Sequence, residues 1–266
     1  MAPYVRLTAL PAVVVTLAAL ANSCGSTRSP PVVNPALASC VPADTVVLAG
    51  LNLDEIRAAP IYRSLPPNAL ATVQALHDAS YLLIAYNARD LLLLARGRFR
   101  EAPPGATLVS SELAVAGPPE SIRAAIAQHR SGVTVSHRLL DLASGVAGGR
   151  QMWIVAQGGV TLPLTGNVAN LNRILRLTDS VTLAAQIDSR IQVEATGVGR
   201  TSDAGRQLEE SLRAILTFAA AGSGRKSEIA AMLNSVEIRR DGLTVHATLS
   251  SSPETAQKLI RELSRQ

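Results

Sequence analysis

Short apolar runs punctuated by turn residues occur twice in this chain, each time in the order strand, helix, hairpin, hairpin, helix. A strand-length run cannot bury its apolar side alone, so this order predicts antiparallel sheets packed against helices. In the first set, Thr45 to Leu51 reads as a strand, and Asn52 caps a helix with Glu55 three residues on in capping-box spacing. Pro60 and Pro66-Pro67 divide that segment into two short helices ending near Asp78. Tyr81 to Tyr86 and Leu91 to Ala95, joined by Asn87-Ala88-Arg89-Asp90, read as a hairpin buried on both faces. Thr107 to Val109 and Leu113 to Ala116 form another hairpin, and a helix opens at Pro118-Pro119-Glu120.

The second set begins with a strand over Met152 to Ala156. A helix over Asn167 to Leu177 follows, with Val168, Leu171, Ile174 and Leu175 as its apolar positions. Val181 to Ile187 and Ile191 to Val198 make a hairpin around Asp188-Ser189, with Val181, Leu183, Ala185 and Ile187 on one face. Ser235 to Arg239 and Leu243 to Leu249 form the last hairpin, turned by Asp241-Gly242 in a type I′ turn. A final helix starts at Ser252-Pro253-Glu254, serine capping and proline at the first helical position. This copy carries an extra helical segment over 202–234, with Leu208, Leu212, Ile215 and Leu216 on one face. The stretch from Gly117 to Ile126 parallels the stretch from Ser251 to Ile260. The predicted fold is therefore α+β: a duplicated strand-helix-hairpin-hairpin-helix unit, with its first repeat over 43–131 and its second over 150–266.

Ahead of this body, residues 1–23 read as a signal peptide of the lipoprotein type. Arg6 supplies the positive start, and Leu7 to Ala21 is an apolar stretch too short to span a bilayer comfortably. Leu20-Ala21-Asn22-Ser23-Cys24-Gly25 then resembles a lipobox, with Cys24 as the lipidated residue. Ordinary cleavage after Ala21 or after Ser23 is the alternative. Residues 24–42 form a linker, rich in Pro, Ser and Gly from Gly25 to Pro35, as a tethered domain needs. With lipid on Cys24, Cys40 is a lone thiol; with upstream cleavage the two cysteines are able to pair.

The passage from linker to body through Pro42-Ala43-Asp44-Thr45, followed by Gly50-Leu51-Asn52-Leu53, resembles uncharacterised bacterial exported lipoproteins. The resemblance covers most of the body. It implies a similar fold and export, and it brings no assigned activity and no catalytic residues.

Composition narrows the function classes. Aromatic residues make up 3% of the chain, thin for stacking bases or sugars. The formal charge is +5, and losing Arg6 with the leader leaves about +4, carried almost wholly by arginine beside only Lys226 and Lys258. No compact basic helix is present, so a nucleic-acid partner is not expected. His77, His129, His137 and His246 lack metal-ligand spacing. Asp54-Glu55 and Glu209-Glu210 are helix neighbours that diverge by about 100°, a cap and a solvated face rather than catalytic pairs. Gly222-Ser223-Gly224-Arg225-Lys226-Ser227 fails as a phosphate loop, because Arg225 stands where glycine must precede the lysine. No catalytic residue, metal or cofactor is expected, and the chain does not read as an enzyme.

Arg96, Arg98 and Arg100 alternate at a strand end, which predicts that all three project from one face. Guanidinium forks suit phosphates and carboxylates, so these three are the candidate contacts for an anionic ligand. The expected role is non-enzymatic binding or scaffolding in the cell envelope, tethered to the membrane through lipid and facing an envelope protein partner. The alternative is a carrier for an apolar or anionic small molecule held between the repeats. Gly25 after the cysteine points to the outer membrane, facing the periplasm, in a cell with two membranes.

Overall fold

A computed structural model describes residues 33–60, 62, 76–103, 105–132, 137–146, 150–161, 171–222, 227–255 and 258. The expected signal peptide, Cys24, Pro66-Pro67, the opening of the Asn167 helix, residues 223–226 and nearly all of the last helix lie outside these. The elements are α1 (Pro35–Ala38), β1 (Val47–Asn52), α2 (Leu53–Ala58), β2 (Ala79–Tyr86), β3 (Leu91–Gly97), β4 (Ala106–Ser110) and β5 (Leu113–Ala116). There follow α3 (Pro119–Ser131), α4 (His137–Gly145), β6 (Met152–Gln157), α5 (Leu171–Leu177), β7 (Thr178–Ile187) and β8 (Ile191–Gly199). Last come α6 (Ser202–Gly222), α7 (Ser227–Asn234), β9 (Glu237–Asp241) and β10 (Thr244–Ser250).

The fold is α+β, with one large antiparallel sheet and several helices. Ten strands lie in the order β4-β5-β3-β2-β1-β6-β7-β8-β10-β9. Counted outward from the middle, each side runs first, second, third, fifth, fourth strand of its half. The halves meet where β1 pairs with β6, Ala49 opposite Ile154 and Gly50 opposite Trp153.

Local chemistry sets the element ends. Asn52 accepts a hydrogen bond from the Glu55 amide at 3.2 Å, so the expected cap opens α2. Ser252 accepts one from the Thr255 amide at 3.2 Å, capping the last helix at the expected place. In the β2–β3 turn, Asn87 Oδ1 takes the amides of Arg89 and Asp90, and Ala88 sits at φ 72°. The last hairpin departs from expectation. Asp241 pairs directly with Thr244, so the turn residues are Gly242 and Leu243. Gly242 has φ 56°, while Leu243 is not among the described residues with positive φ, a type II′ pattern rather than type I′. Helix α4 was not expected from the sequence.

Following paired residues across the sheet separates its two faces. On one face, Leu48, Leu83, Leu94, Val115, Trp153 and Val155 are buried beneath Leu37 of α1, Ala125 of α3, and Leu139 and Ala143 of α4. On the other face, α2 covers the first half through Leu53, which packs near Ala79, Ala95 and Ala114. In the second half that face is covered by α5 and α6, with Ile174 and Leu208 against Ile238 and Val245. Leu212, Ile215 and Leu216 join this cluster, as the periodicity of α6 predicts. Burying each such leucine stabilises the fold by about 1.5–3 kcal/mol.

Two contacts tie the halves together. Trp153 on β6 donates its indole N–H to the Tyr81 hydroxyl on β2 at 2.8 Å, reaching across β1. Gly50 on β1 makes room for it, since a Cβ there would stand 2.3 Å from Trp153 Cε2 and from the Tyr81 oxygen. Gln151, buried at 2% exposure, accepts the Ile187 amide at 2.7 Å and extends its own amide toward the Glu55 carbonyl.

Candidate binding site

The candidate site forms where β2 begins, β3 ends and the β4–β5 turn closes. Gly97 donates its amide to the Glu112 carbonyl at 3.0 Å, and Arg98 donates to the Asp78 carbonyl at 2.9 Å. The Phe99 amide meets the Ser111 carbonyl at 2.9 Å. Strand β3 thus gives way at Gly97 to a crossing segment fixed at both sides. A glycine is required there, because a Cβ would lie 1.9 Å from the Asp78 oxygen. From α2, Arg57 reaches beneath this corner. It donates to the Ala79 carbonyl at 2.8 Å and the Leu76 carbonyl at 2.6 Å, and pairs with Asp54 at 3.1 Å.

The walls enclose an open cavity of about 570 Å³, lined by Asp54, His77, Asp78, Arg96, Arg98 and Glu112 among others. His77 stands 3.3 Å from the Asp78 carboxylate. Arg96, Arg98 and Glu112 are exposed and have no ion pair among the described residues. A neighbouring cavity of about 370 Å³ shares His77 and Asp78 but is walled by Leu76, Phe99 and Pro103, with Arg100 at its lining.

The three arginines expected on one strand face are therefore divided. Only Arg96 belongs to β3, opposite Tyr81 and Leu113. Arg98 joins it in the larger cavity from beyond the strand, and Arg100 lines the smaller one. Asp54, His77, Asp78 and Glu112 were missed as lining residues. They come from three separate segments, α2, the turn before β2 and the β4–β5 turn, and no spacing in the sequence brings these together.

The other candidates lie elsewhere. His129 Nδ1 is 2.7 Å from the Ser39 hydroxyl, and His246 Nδ1 is 3.1 Å from the Thr196 hydroxyl. Glu209 is not simply solvated: it accepts from Arg213 at 3.0 Å and Arg240 at 3.1 Å, and the Arg213 hydrogen bond leads in holding its carboxyl below the usual range. Cys40 is free and fully buried, and burial pushes its thiol up to about 11 despite the Ser39 hydrogen bond. Among the described residues no group of three or more His, Cys, Asp or Glu is placed to hold a metal ion. No helix among them is long and apolar enough to cross a membrane.

The corresponding corner of the second half is built alike but lined differently. In both hairpins a register shift falls after the first paired residue, between Ala79 and Tyr81 in β2 and between Thr178 and Ser180 in β7. Gly199 ends β8 as Gly97 ends β3, donating to the Leu243 carbonyl at 2.8 Å, and Arg200 donates its amide to the Leu177 carbonyl at 3.2 Å. There, however, the arginine side chain is engaged: Arg200 Nε donates to the Thr178 carbonyl at 3.1 Å.

No family model and no curated protein sequence matches the chain. Solved structures of TP0453, a Treponema protein, share its fold. Crystal form I superposes with a TM-score of 0.51 at 10% identity, covering 87% of this chain and 98% of that one. Crystal form III gives 0.51 at 10%, covering 88% and 99%. At that identity the likeness is one of fold.

Proposed function

We propose that this chain is a lipid-anchored extracytoplasmic protein whose body binds an anionic ligand in the cell envelope without transforming it. Residues 1–23 are the leader, Cys24 carries the lipid, and the spacer is shorter than the expected 24–42, since Val33, Leu37, Cys40 and Val41 are buried in the core of the body. The body consists of two copies of one unit, 43–131 and 150–266, with 202–234 inserted in the second. The matching strand order, paired register shifts and closing amide bonds support this duplication.

One observation carries the binding assignment. In the second copy, Arg200 holds the first carbonyl of β7, at Thr178. In the first copy, the equivalent carbonyl at Ala79 is held by Arg57 instead. That exchange leaves Arg98 without an ion pair among the described residues, beside an Arg96 that likewise has none there. Two unpaired guanidinium groups at one cavity form a receptor for phosphate or carboxylate oxygens. Binding of inorganic phosphate at low salt, followed by calorimetry, tests the assignment. The double variant Arg96→Ala/Arg98→Ala is expected to weaken binding about tenfold or more, each 1.4 kcal/mol being a factor of ten. Unchanged affinity would remove the two arginines from the site.

A further inference from the structure

We infer that the ligand of the Arg96–Arg98 cavity is a small zwitterion, with a phosphate or carboxylate at one end and an ammonium group at the other. This rests on the anion-binding assignment and adds a second recognition element to it. The two corners of the sheet share one pattern of backbone bonds and register shifts, so lining positions of the first have counterparts in the second. Arg96, opposite Tyr81 and Leu113, corresponds to Val198, opposite Ser180 and Thr244. Asp78, whose carbonyl takes the Arg98 amide, corresponds to Leu177, whose carbonyl takes the Arg200 amide. Glu112, whose carbonyl takes the Gly97 amide, corresponds to Leu243, whose carbonyl takes the Gly199 amide. Three apolar positions of one corner are thus charged in the other, and the charges are of both signs.

A site for a simple anion gains nothing from carboxylates at its wall, since they repel the ligand. Glu112 is exposed on the cavity wall with no ion pair among the described residues, and Arg57 and His77 already partner Asp54 and Asp78. Among the described residues, the lining groups without an ion pair are therefore the positive Arg96 and Arg98 and the negative Glu112. A volume of about 570 Å³ falls in the range of small-molecule sites. Such a lining orients a dipolar solute, with its anionic end on the guanidinium forks and its ammonium on Glu112.

The test is calorimetric titration of the full chain with O-phosphoethanolamine, inorganic phosphate and ethanolamine at one ionic strength. O-phosphoethanolamine is expected to bind about tenfold tighter than phosphate. Glu112→Gln should erase that margin while leaving phosphate affinity intact, and Arg96→Ala/Arg98→Ala should weaken both ligands. These positions are exposed, so the variants should fold, and an unchanged melting curve verifies it. Equal affinity of the wild-type chain for phosphate and O-phosphoethanolamine would overturn the zwitterion while leaving the anion site standing. A margin surviving in Glu112→Gln would overturn it as well. No binding of either ligand would sink the anion assignment too. The same chemistry occurs in free solutes and in lipid headgroups. Competition by phosphatidylethanolamine vesicles supports the zwitterion as a headgroup, and binding of the soluble compound without competition supports it as a free solute.

Discussion

Gly50 is the smallest residue in the middle of the sheet, and its lack of a side chain decides how the two halves meet. The space above it admits the Trp153 ring, and the indole N–H finds the Tyr81 hydroxyl on the far side of β1. Burial pushes the Tyr81 hydroxyl from 10.0 up to about 12, the Trp153 hydrogen bond opposing that shift. The neutral phenol is therefore the form the fold favours. Its contribution is whole below pH 10, where the unfolded chain also keeps the proton, and is lost as pH rises from about 10 through about 12. Tyr81→Phe should remove that alkaline sensitivity. It should also cost about 1–3 kcal/mol at neutral pH, by leaving a buried indole donor without its acceptor. Urea unfolding at pH 7 and pH 11 measures both effects, and a variant as stable as the parent at pH 7 would contradict the bridge. Alternation in the sequence marks Trp153 as a strand residue, but a partner 72 positions away along the chain has no local signal.

At the scale of elements, the hairpins were the most legible part of the chain. Most are apolar runs of strand length closed by turn residues; β9, with Ile238 its one apolar residue, is legible only through its turn and its partner β10. The arginine alternation was misleading for a physical reason. It assumes that β3 continues past Gly97, whereas the bonds to Asp78 and Glu112 end the strand there and turn Arg98 and Arg100 into separate cavities. Helix α4 fell between the two repeats read from the sequence and was missed, although Leu139, Leu142, Ala143 and Val146 are spaced for one helix face. The exchange of roles between arginines makes a prediction at this scale. Arg57→Ala loses two carbonyl bonds and an ion pair, and should destabilise by about 1.5–3 kcal/mol. Arg200→Ala loses one bond and should cost about 0.5–1.5 kcal/mol. Arg98→Ala should stay within about 0.5 kcal/mol of the parent, as surface changes do. Chemical denaturation of the three variants checks the ranking, and an Arg98→Ala loss equal to that of Arg57→Ala would show Arg98 to be a structural residue.

The body joins two five-stranded arrays into one continuous sheet through the β1–β6 pairing. Among the described residues, a charged cavity lies at one end of the first half. Fold class was readable in the sequence because period-two patterning and turns are local. The cavity was not, because its charges converge only when three strand ends and a helix meet. The central claim is that this body is anchored through Cys24, and intact mass spectrometry of the mature protein, extracted in detergent from its native envelope, tests it most directly. The expected mass is that of residues 24–266 plus a diacylglyceryl group, with or without an N-acyl chain, and with Cys40 as a thiol. A mass beginning at residue 22 or 24 with no lipid would contradict the anchor and make this a soluble exported protein.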